Sequence, residues 1–181
     1  MKIRPENTQA WMIDIQERLL PAMSQPEQLI QRTETLLKGL RLLNVPVAVS
    51  QQYTKGLGMT DPRLLAAAET ENWMEKITFS CLGESEMRQR LEAERERKNV
   101  LVFGIEAHIC VLQTVLDLKA SGYQPLVVVD CLDSRNPLDK EVAMRRMEQD
   151  GALLTTVEAC LFELTERAGT DVFRKISRLI K

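Results

Sequence analysis

The segment Asn99–Leu118, NVLVFGIEAHICVLQTVLDL, restricts the fold more than any other part of the chain. Val100-Leu101-Val102-Phe103 is a β-branched, apolar run with no polar alternation, the pattern of a strand buried in a parallel sheet. Gly104 ends the run, and Ile109, Leu112, Val115 and Leu116 then recur at helical spacing. Cys110 falls in what this pattern makes the first turn of the helix. Unpaired backbone N–H groups and the helix dipole favour negative charge there. A thiol so placed is expected to ionise more easily than a free one, which makes it a candidate nucleophile. Position alone favours the plainer reading, a small cysteine packed between strand and helix.

The rest of the chain repeats the alternation. Thr8–Ile15 reads as the first strand, with Asp14 closing its apolar run and Gln16 following. A carboxylate there is either a capping group or one poised at the mouth of a site. Pro21–Pro26 is a loop, and Leu29, Leu36, Leu37, Leu40 and Leu43 mark one face of a helix. Val45–Val49 is the second strand, with Pro46 near its start, and Ser50–Gly58 reads as a loop. Asp61-Pro62 opens a short helix through Ala68. Trp73–Ser80 reads as a third strand carrying Lys76, which either snorkels to solvent or stabilises an anion at a site. Glu84–Lys98 is a charged helix with a narrow stripe of Met87 and Leu91. Strands follow at Gln124–Cys131 and Ala152–Thr156, and helices at Leu138–Gln149, Glu158–Ala168 and Thr170–Lys181. No repeat, low-complexity tract or linker interrupts the pattern, so residues 1–181 are expected to form one α/β domain with helices on both faces of a mainly parallel sheet. In such sheets the site lies beyond the carboxyl ends of the strands, where strand order reverses. That rule gathers Asp14, Lys76 and Cys110.

Composition narrows the partners. A net charge of −2 makes no case for binding nucleic acid or an anionic membrane. No apolar run has the length to span a bilayer, and nothing resembles a signal peptide. The cysteines, Cys81, Cys110, Cys131 and Cys160, are widely separated, and His108 is the single histidine. That removes most zinc templates and points to reduced thiols in a cytoplasmic protein.

WMIDIQ around Asp14, EKITFS around Lys76, GIEAHICV around Cys110 and the tail DSRNPLDKEVAMRRMEQDGALLTTVE resemble the isochorismatase-like family of cysteine hydrolases. The resemblance spans nearly the whole chain. It implies a three-layer α/β/α, Rossmann-like fold whose six-stranded parallel sheet has the order 3-2-1-4-5-6. It also implies an Asp14-Lys76-Cys110 triad: Cys110 attacks the carbonyl carbon of a small amide-like substrate, Asp14 serves as base and then acid, and Lys76 holds Asp14 and stabilises the thiolate. The N–H groups of Ile109 and Cys110 would form the oxyanion hole, and the cis peptide of the family falls at Ile105–Glu106. Dimers or larger homo-oligomers are common in the family.

Two departures shape the expectation. Metal-dependent members carry Asp and His ligands after the second strand, whereas Ser50-Gln51-Gln52-Tyr53 has no histidine, so neither a catalytic metal nor another cofactor is expected. Cys110 itself fits a covalent thioester route, so isochorismate is not the implied substrate. Gln16, Tyr53, Leu57 and Phe79 are candidate pocket walls, with ordinary packing the alternative. His108, two residues from Cys110, faces another side of the helix and is read as a structural or subunit-contact residue. A different class of function stays open: a catalytically idle, oligomeric interaction protein that retains the hydrolase fold. A nucleotide-binding reading is set aside because no G-x-G-x-x-G follows the first strand.

Overall fold

Along β1 (Thr8–Ile13) and β4 (Asn99–Gly104), successive side chains enter two separate cores. Trp11, Ile13, Val100 and Val102 join one cluster, and Ala10, Met12, Leu101 and Phe103 the other. This is the period of two of a strand whose faces are both covered. The computed structural model describes residues 2–181. The remaining strands are β2 (Val47–Gln52), β3 (Met74–Lys76), β5 (Gln124–Leu132) and β6 (Leu153–Thr155). Between and after them run α1 (Pro26–Leu42), α2 (Thr54–Leu57), α3 (Pro62–Ala68), α4 (Ser85–Ala93), α5 (Leu112–Ala120), α6 (Pro137–Gln149), α7 (Val157–Thr165) and α8 (Asp171–Ile180). Leucines of α1 pack with Leu64 of α3, Leu161 of α7 and Ile176 of α8 on one face, while α4, α5 and α6 cover the other through Met87, Val115 and Met147.

All six strands join one parallel sheet of order β3-β2-β1-β4-β5-β6. This is the order that the family resemblance implies. The chain winds outward from β1 in one direction and from β4 in the other, so the loops leaving these two strands diverge and open a crevice. Gly104 fixes how closely they run. It pairs with Ile13, has φ +129°, and a Cβ there would overlap the Ile13 carbonyl.

Several boundaries differ from the sequence expectations, each for a local reason. The third strand stops at Lys76, because the N–H groups of Ile77 and Thr78 both donate to Glu84 Oε1 at 3.1 Å instead of continuing the ladder. These bonds to the ionised form lower the Glu84 pKa, that from Thr78 most. The second strand runs on to Gln52, since buried partners await Ser50 and Gln51, and one helical turn, α2, occupies the expected loop. The charged helix ends at Ala93, where Gln9 Nε2 takes the carbonyls of Glu94 and Arg97 at 3.3 and 3.0 Å. Among the described residues no helix is long and apolar enough to cross a membrane.

Two predictions follow from this packing. Gly104→Ala combines a positive φ with a backbone overlap, and is expected to lower stability by at least about 3 kcal/mol in urea denaturation. The four cysteines are free and buried. Burial pushes the thiols of Cys81 and Cys160 up from 9.0 to about 11 and about 12. Above pH 9 the unfolded chain releases thiol protons that the folded chain keeps, so stability is full below that pH and falls as pH rises toward the folded values. The expected slope is roughly 1 kcal/mol per pH unit per thiol, and Cys160→Ala should flatten it in denaturation curves taken from pH 8 to 11.

Candidate active site

The carboxyl end of β1 delivers Asp14 with a left-handed backbone, φ 52°, a conformation that aspartate tolerates. The turn aims its carboxylate back over the sheet. β3, on the far side of β2, ends on Lys76. The two side chains meet with Nζ 2.7 Å from Oδ2, and both have 0% exposure. The ammonium also reaches Gln52 Oε1 at 2.6 Å, the Phe79 carbonyl at 3.0 Å and the Thr78 carbonyl at 3.3 Å, so it is enclosed by acceptors on every side. Asp14 Oδ1 accepts the Ser50 hydroxyl at 2.7 Å. Burial works to lower the Lys76 pKa, but the facing negative charge of Asp14 outweighs it and the pKa is raised overall. Lys76 therefore keeps its proton despite its burial.

Cys110 comes from the other side of the crevice and is 7% exposed. Its setting corrects two expectations. The residue lies not in the first turn of α5 but in a π-helical turn, Ala107–Val111, that precedes it. Its thiol pKa is raised rather than lowered: burial and then the charge of Asp14 outweigh the opposing pull of Lys76. The thiol is thus protonated at rest and needs a base to release it. Thr114, one turn into α5, donates to the Cys110 carbonyl at 2.7 Å and accepts the Cys81 N–H at 3.0 Å.

The structure thus brings Asp14, Lys76 and Cys110 together, with both charged groups bearing on the thiol. The Ile105–Glu106 peptide is cis. Glu106, buried, accepts the backbone N–H and Nε of Arg135 at 3.0 and 3.1 Å, which ties the loop after β5 to the turn. The Ile109 N–H is not free as expected of an oxyanion donor. The wide turn keeps the Glu106 carbonyl over it at 3.1 Å, and over the Val111 N–H at 3.3 Å.

Gln16 is no pocket wall. Its amide is consumed in holding the loop after β2, donating to the carbonyls of Gln52 and Gly58 at 3.0 and 2.7 Å and accepting the Gln52 N–H at 2.7 Å. Phe79 enters the site through its carbonyl, while its ring, like that of Tyr53, is about half exposed at the rim. Leu57 is partly buried and closes the same loop, its carbonyl accepting the Arg18 N–H at 3.1 Å. His108 faces the loop before α6, with Nδ1 3.0 Å from Ser134 Oγ and Nε2 4.0 Å from Asp139. Ser50, Gln52, Cys81 and Thr114 were missed by sequence reasoning. Only their nearness to strand ends and to Cys110 could have signalled them. Among the described residues, no three His, Cys, Asp or Glu side chains gather into a metal-binding group.

Comparison with known proteins places this arrangement. The chain is 36% identical over 180 residues to isochorismatase domain-containing protein 2A of Mus musculus, a match covering 99% of this chain and 85% of that protein. It is 37% identical over 183 residues to the secreted isochorismatase effector Isc1 of Phytophthora sojae, covering 99% and 87%. Among solved structures, MAR1 ribonuclease from Caenorhabditis elegans superposes with a TM-score of 0.92 at 35% identity, covering 99% of this chain and 92% of that one. The YcaC gene product of Escherichia coli, described as an octameric hydrolase of unknown specificity, shares the fold with a TM-score of 0.93 at 20% identity, covering 99% and 89%. Residues 11–159 match the family model described as the isochorismatase domain, and with that the chain is placed as a member of the isochorismatase family.

Proposed function

We propose that this protein is a metal-independent hydrolase that cleaves a C–N bond of a small amide or imide through a thioester at Cys110. The supporting observation is a protonated thiol within the field of a buried aspartate–lysine pair at a sheet's switch point. Asp14 takes the thiol proton as sulfur attacks the carbonyl carbon, and the oxyanion is received by the N–H groups of Ile109 and Cys110. The Ile109 N–H exchanges the Glu106 carbonyl for it. The tetrahedral adduct collapses, the C–N bond breaks, and Asp14 hands its proton to the leaving nitrogen. Water then attacks the thioester with Asp14 again as base, releasing the acid and restoring the thiol. Lys76 contributes its charge, with no N–H to spare for substrate.

The metal-independent part of the reading rests on the carboxyl end of β2. Ser50, Gln51 and Gln52 spend their side chains on Asp14, Thr60 and Lys76, and bring neither carboxylate nor imidazole to the crevice. The name of the C. elegans relative suggests RNA as another substrate. A phosphodiester calls for cationic donors turned toward it, and the Lys76 ammonium is enclosed and its hydrogens taken. Assembly into a homo-oligomer belongs to the same proposal, with Leu138 and Val142 forming an exposed apolar pair one turn apart on α6. A cytoplasmic setting, in keeping with four free thiols, belongs to it as well.

Iodoacetamide should label Cys110 faster than the other thiols. Cys110→Ala should keep the fold while amide hydrolysis, read on a panel of small amides, falls at least about 10³-fold. Unchanged turnover in that variant, or cleavage of RNA in place of amides, ends the reading. Asp14→Asn should cost about 10²- to 10⁴-fold in rate. Lys76→Met leaves a buried carboxylate unpaired and should cost about 3–5 kcal/mol of stability, much of it regained in the Asp14→Asn/Lys76→Met double variant by urea denaturation.

A further inference from the structure

Asp14 has two oxygens and Cys110 can pass its proton to only one of them at a time. We infer that Ser50, whose hydroxyl donates to Asp14 Oδ1 and lies beside the Cys81 thiol, is a positioning residue that fixes the Asp14 carboxylate for proton exchange with Cys110. The inference rests on the role proposed for Asp14 and extends it to two residues outside the triad.

The parallel register of β1 and β2 sets Ser50 opposite Ile13, and the Asp14 N–H donates to the Ser50 carbonyl at 3.2 Å. The serine hydroxyl is thereby held beside the carboxylate, and both residues are buried. A hydroxyl has one proton, which could point to the carboxylate or away from it. The carboxylate, an acceptor only, draws it to Asp14 Oδ1, and Cys81 supports that direction. Its Sγ lies 3.7 Å from Ser50 Oγ and donates to it, which leaves the serine proton for Asp14 Oδ1. Burial pushes the Cys81 thiol up to about 11, so this donor persists across the neutral range.

The second oxygen is held differently. Oδ2 lies 2.7 Å from the Lys76 ammonium, which Gln52, Thr78 and Phe79 hold in place, so the two oxygens of the carboxylate are pinned from two strands. Cys81 also bears on the nucleophile. Its backbone N–H donates to Thr114, which donates to the Cys110 carbonyl, so one residue sets the distance between base and thiol from both sides.

The test measures the rate at which iodoacetamide alkylates Cys110 in the full chain between pH 5 and 9, with mass spectrometry assigning the labelled residue. Removing the Ser50 donor withdraws a bond from the ionised carboxylate, so in Ser50→Ala the acidic limb should move up by about one pH unit. The rate on the plateau should fall severalfold, because the carboxylate is free to turn. Ser50→Thr keeps a hydroxyl and should return the limb to its original position, a rescue that a purely structural role would not produce. Cys81→Ala releases the serine hydroxyl and should shift the limb the same way by a smaller amount, which provides the test should Ser50→Ala not fold. A limb unmoved in the alanine variants, with Cys110 still the fast-labelling thiol, overturns the inference alone. A parent protein whose Cys110 is no faster than its other thiols overturns the proposed function and the inference with it.

Discussion

Asp14 and Lys76 sit against each other beyond the reach of water, and neither could be there alone. An isolated buried charge costs several kcal/mol, so each tolerates burial only at the distance the other provides. That distance depends on three strands keeping register. β1 and β2 pair Ile13 with Ser50, and β2 and β3 pair Gln52 with Lys76. A slip of one residue would turn one of the charges to the opposite face of the sheet. The polar shell follows from the same requirement. Gln52 and the carbonyls of Thr78 and Phe79 satisfy the ammonium, and Ser50 satisfies one carboxylate oxygen.

Cys110 is presented by a different device. A π-turn gives the chain a wider winding than α5 would, and ties to Asp133 and Arg135 anchor it from the β5 side. Cys110 gains little ionisation from this position, because burial dominates over the dipole of a helix that begins two residues later. The thiol is therefore inert until a base acts on it. A protonated thiol paired with a positioned carboxylate suits a site that must avoid reacting with every electrophile that reaches it.

Much of this was written plainly in the chain. The apolar run before Gly104 and the periodic residues after it identified β4 and α5, and the alternation elsewhere gave the layers. Asp14, Lys76 and Cys110 stood out because charged or nucleophilic groups at the ends of apolar runs are conspicuous. Ser50, Gln52 and Thr114 did not, since an uncharged hydroxyl or amide is as ordinary in a loop as in a site, and only strand register gives it a partner. Ile77 and Phe79 look β-favouring and extend the third strand in the sequence, but the strand ends at Lys76. The competing claim came from Glu84, whose carboxylate takes the N–H groups that the ladder needed. Gln16 reads as a pocket residue beside Asp14, yet its amide is committed to the neighbouring loop.

The sheet ends at both sides in strands of three residues, β3 and β6. An open rim is a template on which a foreign segment can add itself, and its danger grows with the number of vacant rungs. Here each rim offers too few for an incoming strand to offset the entropy of being ordered. Although Leu153 and Leu154 face solvent on β6, run-on growth of the sheet from molecule to molecule is disfavoured by brevity rather than by charge.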